Sequence, residues 1–433
     1  MKRLLYVLLC SFAIATVMHA EPIVHRIIIN GVINPIATEY IQKSISQAED
    51  SGAELLIIQM DTPGGLMESM HQIMKDIMNA SVPVAVYVAP TGSRAGSAGV
   101  FITYSAHIAA MAPSTNIGSA HPVFGGGIPG GEMDSSMSDV LMEKVTNDAV
   151  AKIRTAAERF GRNADWAEKA IRESANITEH QALEMHVVDY VVPSTDSLLS
   201  VVDGKTIRMY DDSERTLKTR NAQVITYEMT WRQKLFDTIV NPNVAAILMM
   251  LGVLGLIMEL YNPGGIVPGV VGGICLILAF YSMHTLPLNY AGLFLIIFSI
   301  ILFLLEIKVP SYGLLTIGGI VSLTLGFVML IDSPIPEMQV SWQVITSIVV
   351  LTALFFIFAV GFAVKAQRSK PTTGSEGLTG ESGVVFKALN PEGTVQIHGE
   401  FWRAVSDEPV KKGETVRVVA YDGEHLKLKV KKI

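Results

Sequence analysis

Between Val244 and Val364 the chain carries five apolar runs, each near the length that a helix needs to cross a bilayer. They are Val244–Leu260, Ile266–Met283, Tyr290–Ile307, Leu314–Ile331 and Val344–Val364. A chain with that stretch cannot be a simple soluble globule, and the polar parts on either side must fold separately. The breaks fall at Asn262-Pro263-Gly264-Gly265, 284–289, 308–313 and 332–341. Five spans are expected, although the first two runs are short and glycine-rich enough to form a re-entrant pair. Loops 284–289 and 332–341 hold no Lys or Arg, whereas Lys308, Lys365, Arg368 and Lys370 mark the opposite side as cytoplasmic. Glu259 and Glu306 stand at span ends, where interfacial roles are expected.

The first twenty residues have a basic start (Lys2, Arg3), a short apolar core from Leu4 to Met18 and a small residue, Ala20, before Glu21. This is the pattern of a signal peptide, which sends the next domain out of the cytoplasm. With Cys10 removed only Cys275 remains, so no internal disulfide is expected. No Cys/His cluster has zinc spacing, and neither a metal nor a cofactor is expected. The net charge of −7 and the lack of a basic run exclude nucleic acid as a natural partner.

Residues 21–202 alternate short apolar strands with helical patterns, for example Glu54–Met60 followed by Leu66–Met78, whose Met67, Met70, Ile73, Met74 and Ile77 share one helix face. Such alternation predicts a parallel sheet covered by helices, with ligands gathering beyond the carboxyl ends of the strands. Gly64-Gly65 and Ser97 both fall there, after different strands. Arg94-Ala95-Gly96-Ser97-Ala98-Gly99 reads as a tight turn into a helix over 95–104, with the serine either a nucleophile or a helix cap. The glycine-rich loop 125–131 reads as a lid, a channel wall or a plain connection. Residues 203–243 read as a connector ending in an interfacial helix with Trp231, Leu235, Phe236 and Ile239 on its apolar side.

A nucleophilic Ser97 needs a base. Lys144 lies on a long helix expected from Ser138 to Phe160, one position before Val145 of its apolar stripe. Lysine accepts a proton only when desolvation has neutralised its amine. His121, in Ala120-His121-Pro122, is the rival. The amides of Gly65 and Ala98 are candidate oxyanion donors, and Asp61 fits a turn-capping role better than a catalytic one. Residues 365–382 form a linker. Five short alternating strands in 383–433 fit a small barrel of the oligonucleotide/oligosaccharide-binding (OB) shape.

Met60-Asp61-Thr62-Pro63-Gly64-Gly65, Gly96-Ser97-Ala98-Gly99, Lys144-Val145-Thr146-Asn147-Asp148 and Gly161-Arg162-Asn163, in this order, resemble the long-form NfeD proteins. The resemblance covers essentially the whole chain. It implies an α/β crotonase/Clp-protease-like domain related to signal peptide peptidase A, a polytopic α-helical membrane region and a C-terminal all-β OB-like barrel. It further implies a serine endopeptidase with Ser97 as nucleophile, Lys144 as base and Gly65 and Ala98 as oxyanion donors. The site would lie outside the cell inner membrane and the barrel inside. A stomatin-like membrane protein is the implied substrate or partner, and a homo-oligomer the implied assembly. No Gly-x-x-x-x-Gly-Lys-Ser/Thr motif occurs, so cleavage without ATP is expected. The alternative is a non-catalytic scaffold that organises stomatin-like proteins and membrane lipid.

Overall fold

The structure, a computed structural model, describes residues 21–123 and 135–433 apart from 262–264, 285, 287, 310, 312, 332, 334, 335, 369–374 and 424. The expected signal peptide and the glycine-rich loop 125–131 lie outside the described residues. The described chain forms two compact units, the second beginning at Leu354.

In chain order the first unit begins with β1 (Ile23–Asn30), α1 (Pro35–Asp50), β2 (Leu55–Asp61), α2 (Met67–Met78), β3 (Val84–Val88), β4 (Arg94–Gly96) and α3 (Ala98–Tyr104). Next come β5 (Ile108–Met111), β6 (Asn116–Gly118), α4 (Ser135–Arg159), α5 (Ala164–Arg172), β7 (Asn176–Thr178), α6 (Glu179–Glu184), β8 (Tyr190–Val191) and α7 (Thr195–Val202). A hairpin of β9 (Thr206–Arg208) and β10 (Glu214–Thr216) then leads to β11 (Gln223–Thr226) and α8 (Trp231–Val240).

Six strands make a parallel sheet in the order β11-β1-β2-β3-β5-β8, with Met60 level with Val88 and Val88 level with Met111. The central strand β3 reads Val-Ala-Val-Tyr-Val and is buried throughout, as a strand covered on both faces must be. Ile27, Leu56, Ile58, Val84 and Val86 pack on one face against Ile41, Ile73, Phe101 and Ile153 of the helices. Leu55, Ile57, Ala85 and Tyr87 pack on the other against Leu198, Leu199 and Leu217.

Three local features differ from the sequence-based expectations. The segment expected to be helical from residue 95 begins as β4, and the helix starts at Ala98, because β4 pairs with β6 and must turn sharply to enter α3. The apolar run Val187–Val192, whose composition reads as a strand, is a strand only at Tyr190–Val191. The stretch 203–243 is more regular than a connector, since β11 adds to the main sheet alongside β1.

The apolar helices are α9 (Pro242–Tyr261), α10 (Val267–His284), α11 (Tyr290–Lys308), α12 (Leu314–Met329) and α13 (Trp342–Arg368). Pro242–Leu260 and Pro336–Phe358 contain segments long and apolar enough to cross a membrane, and three shorter apolar helices accompany them. α9 lies along α10, and α11 along α12. The glycine-rich character of the first pair is a packing requirement: a Cβ on Gly272 would come within 2.8 Å of the Gly252 carbonyl oxygen. Glu306 accepts from the backbone amides of Gly313 and Thr316, so its carboxylate holds the start of α12.

In the second unit β12 (Ser382–Lys387), β13 (Glu392–Ile397), β14 (Glu400–Val405), β15 (Thr415–Asp422) and β16 (Lys427–Lys432) close into a barrel in the order β12-β13-β14-β16-β15. Its interior holds Val385, Val395, Ile397, Val416, Val418, Leu428 and Val430, the inward half of each alternating strand.

Candidate active site

Ser97 sits at φ 49° and ψ −109°, between the end of β4 and the first residue of α3. A side chain in that backbone region is strained by about 1–3 kcal/mol, a strain that persists only where the surroundings enforce it. Here they do. The Ser97 amide donates to the Gly118 carbonyl at 3.1 Å, and the Gly96 amide donates to Thr62 at 2.9 Å. The hydroxyl makes no capping hydrogen bond to the helix. The strand-to-helix turn therefore presents the Ser97 side chain outward instead of spending it on the cap.

The turn after β2 meets this serine from the other side. Thr62 closes the turn, its hydroxyl accepting from the Gly64 amide at 3.1 Å. Gly64 and Leu66 bond to Ile33, which leaves the Gly65 amide outside that bridge. Only glycine fits here, because a Cβ on Gly65 would lie 2.1 Å from the Ile33 oxygen. Ala98, the first residue of α3, has an amide that helical bonding leaves free.

Ser97, Gly65, Ala98 and His121 all line one cavity of about 200 Å³. Its other walls are largely apolar and include Met67, Met70, Phe101, Val123 and Ala149. His121 Nδ1 lies 2.8 Å from the Ile171 carbonyl oxygen. A ring donating from Nδ1 has its lone pair on Nε2. Asp61 accepts from the Arg94 amide at 3.0 Å, a turn-holding role.

Lys144 stands apart from this cavity. It is an exposed residue of α4 and does not line the space around Ser97. Lys144, Asp148 and Lys152 succeed one another at four-residue spacing along one face of the helix. Lys152 at the far end reaches within 3.4 Å of His71 of α2, the helix whose Met67 and Met70 line the cavity. Val140, 65% exposed, and Leu141, 39% exposed, lie about one turn before Lys144.

Three further residues contribute, of which only Arg162 lies in a motif of the sequence, Gly161-Arg162-Asn163. Arg162 is buried at the far end of α3, where it donates to the carbonyls of Tyr104 at 3.0 Å and Ala106 at 2.8 Å. Its cation sits at the negative end of the helix that Ser97 begins. Met338 and Ser333, from the connection between α12 and α13, complete the cavity wall. In the same connection Glu337 pairs with Arg94 at 2.6 Å. Nothing in the sequence spacing places residue 338 beside residue 97.

Three stretches of the chain match domains of one family: "NfeD1b, N-terminal domain" over 23–209, "NfeD integral membrane domain" over 243–361 and "NfeD-like C-terminal, partner-binding domain" over 375–432. The chain is 34% identical to the membrane-bound protease PH1510 of Pyrococcus horikoshii, covering 98% of this chain and 97% of that one. It is 28% identical to the membrane protein NfeD1b of Bacillus subtilis, covering 89% and 88%. Among solved structures, the 1510-N membrane-bound stomatin-specific protease, as a lysine-to-alanine mutant in complex with a substrate peptide, is 32% identical. That match covers 51% of this chain and 98% of the other, with a TM-score of 0.46. The domains occur in the same order along the whole length, and the chain is a member of the long-form NfeD family of membrane-bound proteases.

Proposed function

We propose that the chain is a membrane-anchored serine endopeptidase that cleaves hydrophobic segments of membrane proteins, such as a stomatin-like partner, without ATP. The observation that carries this reading is Ser97 itself: strained, not used as a cap, and facing an apolar cavity flanked by the amides of Gly65 and Ala98. A peptide carbonyl seated there is attacked by the Ser97 oxygen. The negative charge that develops on the carbonyl oxygen is met by the two amides. The apolar walls suit an extended apolar peptide.

Lys144 is assigned as general base in an assembled form of the protein. A second copy covering exposed Val140 and Leu141 would also take water from the neighbouring amine, and desolvation favours the neutral lysine that can accept the Ser97 proton. Reaching Ser97 from the exposed row of α4 requires that helix to rearrange on assembly. A second reading gives the proton to His121, which already shares the cavity and whose Nδ1 is oriented by Ile171.

The proposed topology has five spans. The start of α9, Leu286 between α10 and α11, and Met338 before α13 all lie close to the N-terminal domain, which supports alternating traverses. The stomatin-like partner is supported by the relative's name and by the partner-binding description of residues 375–432.

A serine-reactive phosphonate applied to membranes containing the full chain tests the reading. Labelling at Ser97, absent in Ser97→Ala, is expected. No labelling would favour a non-catalytic scaffold for stomatin-like proteins and lipid. Loss of cleavage in Lys144→Ala, with activity kept in His121→Ala, supports the lysine, and the reverse pattern moves the role to His121.

A further inference from the structure

Two cavities of this chain share a wall. The first, about 200 Å³, holds Ser97. The second, about 210 Å³, lies where α8 passes into α9, and Leu66 and Met338 line both. Met338 is only 4% exposed, so this wall is packed. Leu66 comes directly after the proposed oxyanion donor Gly65, whereas Met338 belongs to the connection before the last apolar helix. The partition is thus built half by the α/β domain and half by the membrane region.

The two spaces differ in chemistry. The first has methionine, phenylalanine and valine walls. The second carries the carboxylates of Asp237 and Glu337 and several asparagines, with no Lys or Arg in its lining. Glu337 is paired with Arg94 at 2.6 Å. Asp237 accepts from the neutral Asn34 side-chain amide at 2.8 Å and makes no ion pair among the described residues. An extended peptide places alternate side chains on one face, roughly 7 Å apart. The two pockets share the Leu66–Met338 wall, so neighbouring same-face side chains of one extended peptide would fall on either side of it.

Resting on the reading of Ser97 as nucleophile, we propose that the second cavity is a substrate subsite for a basic side chain. That residue lies two positions from the apolar residue seated beside Ser97. The substrate class is then an extended peptide in which an apolar run is flanked by Lys or Arg, as membrane-spanning segments commonly are. Met338 sets the division between the two subsites, and Asp237 selects the charge.

Binding to the full-length Ser97→Ala chain in lipid nanodiscs tests this without requiring turnover. The probes are fluorescent ten-residue Leu/Val/Ala peptides carrying one Lys moved stepwise along the sequence. Affinity should peak at one Lys position, at least tenfold above the all-apolar parent, and Glu at that position should remove the gain. Asp237→Asn keeps an acceptor for Asn34 and should flatten the peak without lowering the thermal unfolding temperature. Met338→Ala should broaden the peak to neighbouring positions. Where the wild-type chain cuts these peptides, the peak should lie two residues from an apolar residue adjoining the cut bond. A flat scan, or a peak that Asp237→Asn leaves unchanged, overturns the subsite. The expected pattern in a wild-type chain that neither cuts any peptide nor reacts at Ser97 would refute the protease reading and leave the subsite standing.

Discussion

Arg162 and Asp189 meet at 2.7 Å, with the Arg162 side chain 1% exposed and the same guanidinium gathering carbonyls from the end of α3. The ion pair fixes the far end of the helix whose near end is Ser97. Arg162→Met would leave those carbonyls and Asp189 without their partner. Asp189 is 33% exposed and keeps the Ala109 amide, so the cost is chiefly that of the orphaned buried carbonyls, about 1–3 kcal/mol. A fall in the unfolding temperature of the detergent-solubilised chain is expected, with reduced phosphonate labelling of Ser97 below that temperature because α3 has lost its anchor. A variant that melts earlier yet labels at the normal rate would separate stability from positioning.

Ser97→Gly should pull stability and activity in opposite directions. Glycine accepts φ 49° without the penalty that a side chain pays there. A gain of about 1 kcal/mol is expected from denaturant unfolding, with cleavage abolished. Ser97→Ala should also abolish cleavage but keep the strain, so only the glycine variant should become more stable.

Gly65→Ala addresses the proposed oxyanion donor. The added carbon would lie 2.1 Å from the Ile33 oxygen, so the backbone must move and carry the amide with it. A fall of roughly 10²–10³-fold in kcat is expected, the usual cost of losing one such donor. The comparison to make is kcat against KM on an apolar peptide. A change confined to KM would argue against the assignment.

Val140 and Leu141 offer a test of assembly. Each is apolar and exposed, and both lie close to Lys144 on α4. Val140→Asp with Leu141→Asp should lower the oligomeric state measured by mass photometry and lower cleavage with it. Full activity in a variant shown to be monomeric would remove the argument that assembly prepares the lysine.

His107 gives a pH dependence to stability. Burial, helped by nearby Arg159 and Arg162, lowers its pKa to about 4. Its Nδ1 accepts from the Val84 amide at 3.2 Å, a bond that the protonated ring cannot accept. The folded state therefore keeps the ring neutral, whereas the unfolded chain takes up a proton near its ordinary value of 6.5. Stability is full above about pH 6.5 and declines as the pH falls toward 4, by up to about 3 kcal/mol. Thermal unfolding of wild type and His107→Gln across this range should show a shallower slope in the variant.

Periodicity and composition determined much of this protein. Strands buried on both faces, such as Val84–Val88, announce themselves as unbroken apolar runs, and the apolar helices after Val244 do the same. Turn chemistry placed Gly65, Ser97 and Ala98 beyond strand ends, because a parallel sheet gathers its loops there. What the linear chain could not contain is the geometry set by distant partners. The backbone strain at Ser97 depends on pairing between β4 and β6, and Arg162 matters only because α3 ends beside it. Whether Lys144 faces the cavity or water depends on how α4 is covered, which helical spacing alone does not decide. Met338 reaches the site across more than two hundred residues, through the packing of the α12–α13 connection against the α/β domain. Local sequence specifies local backbone and apolar faces, whereas contacts between remote elements depend on how the filled volumes fit together.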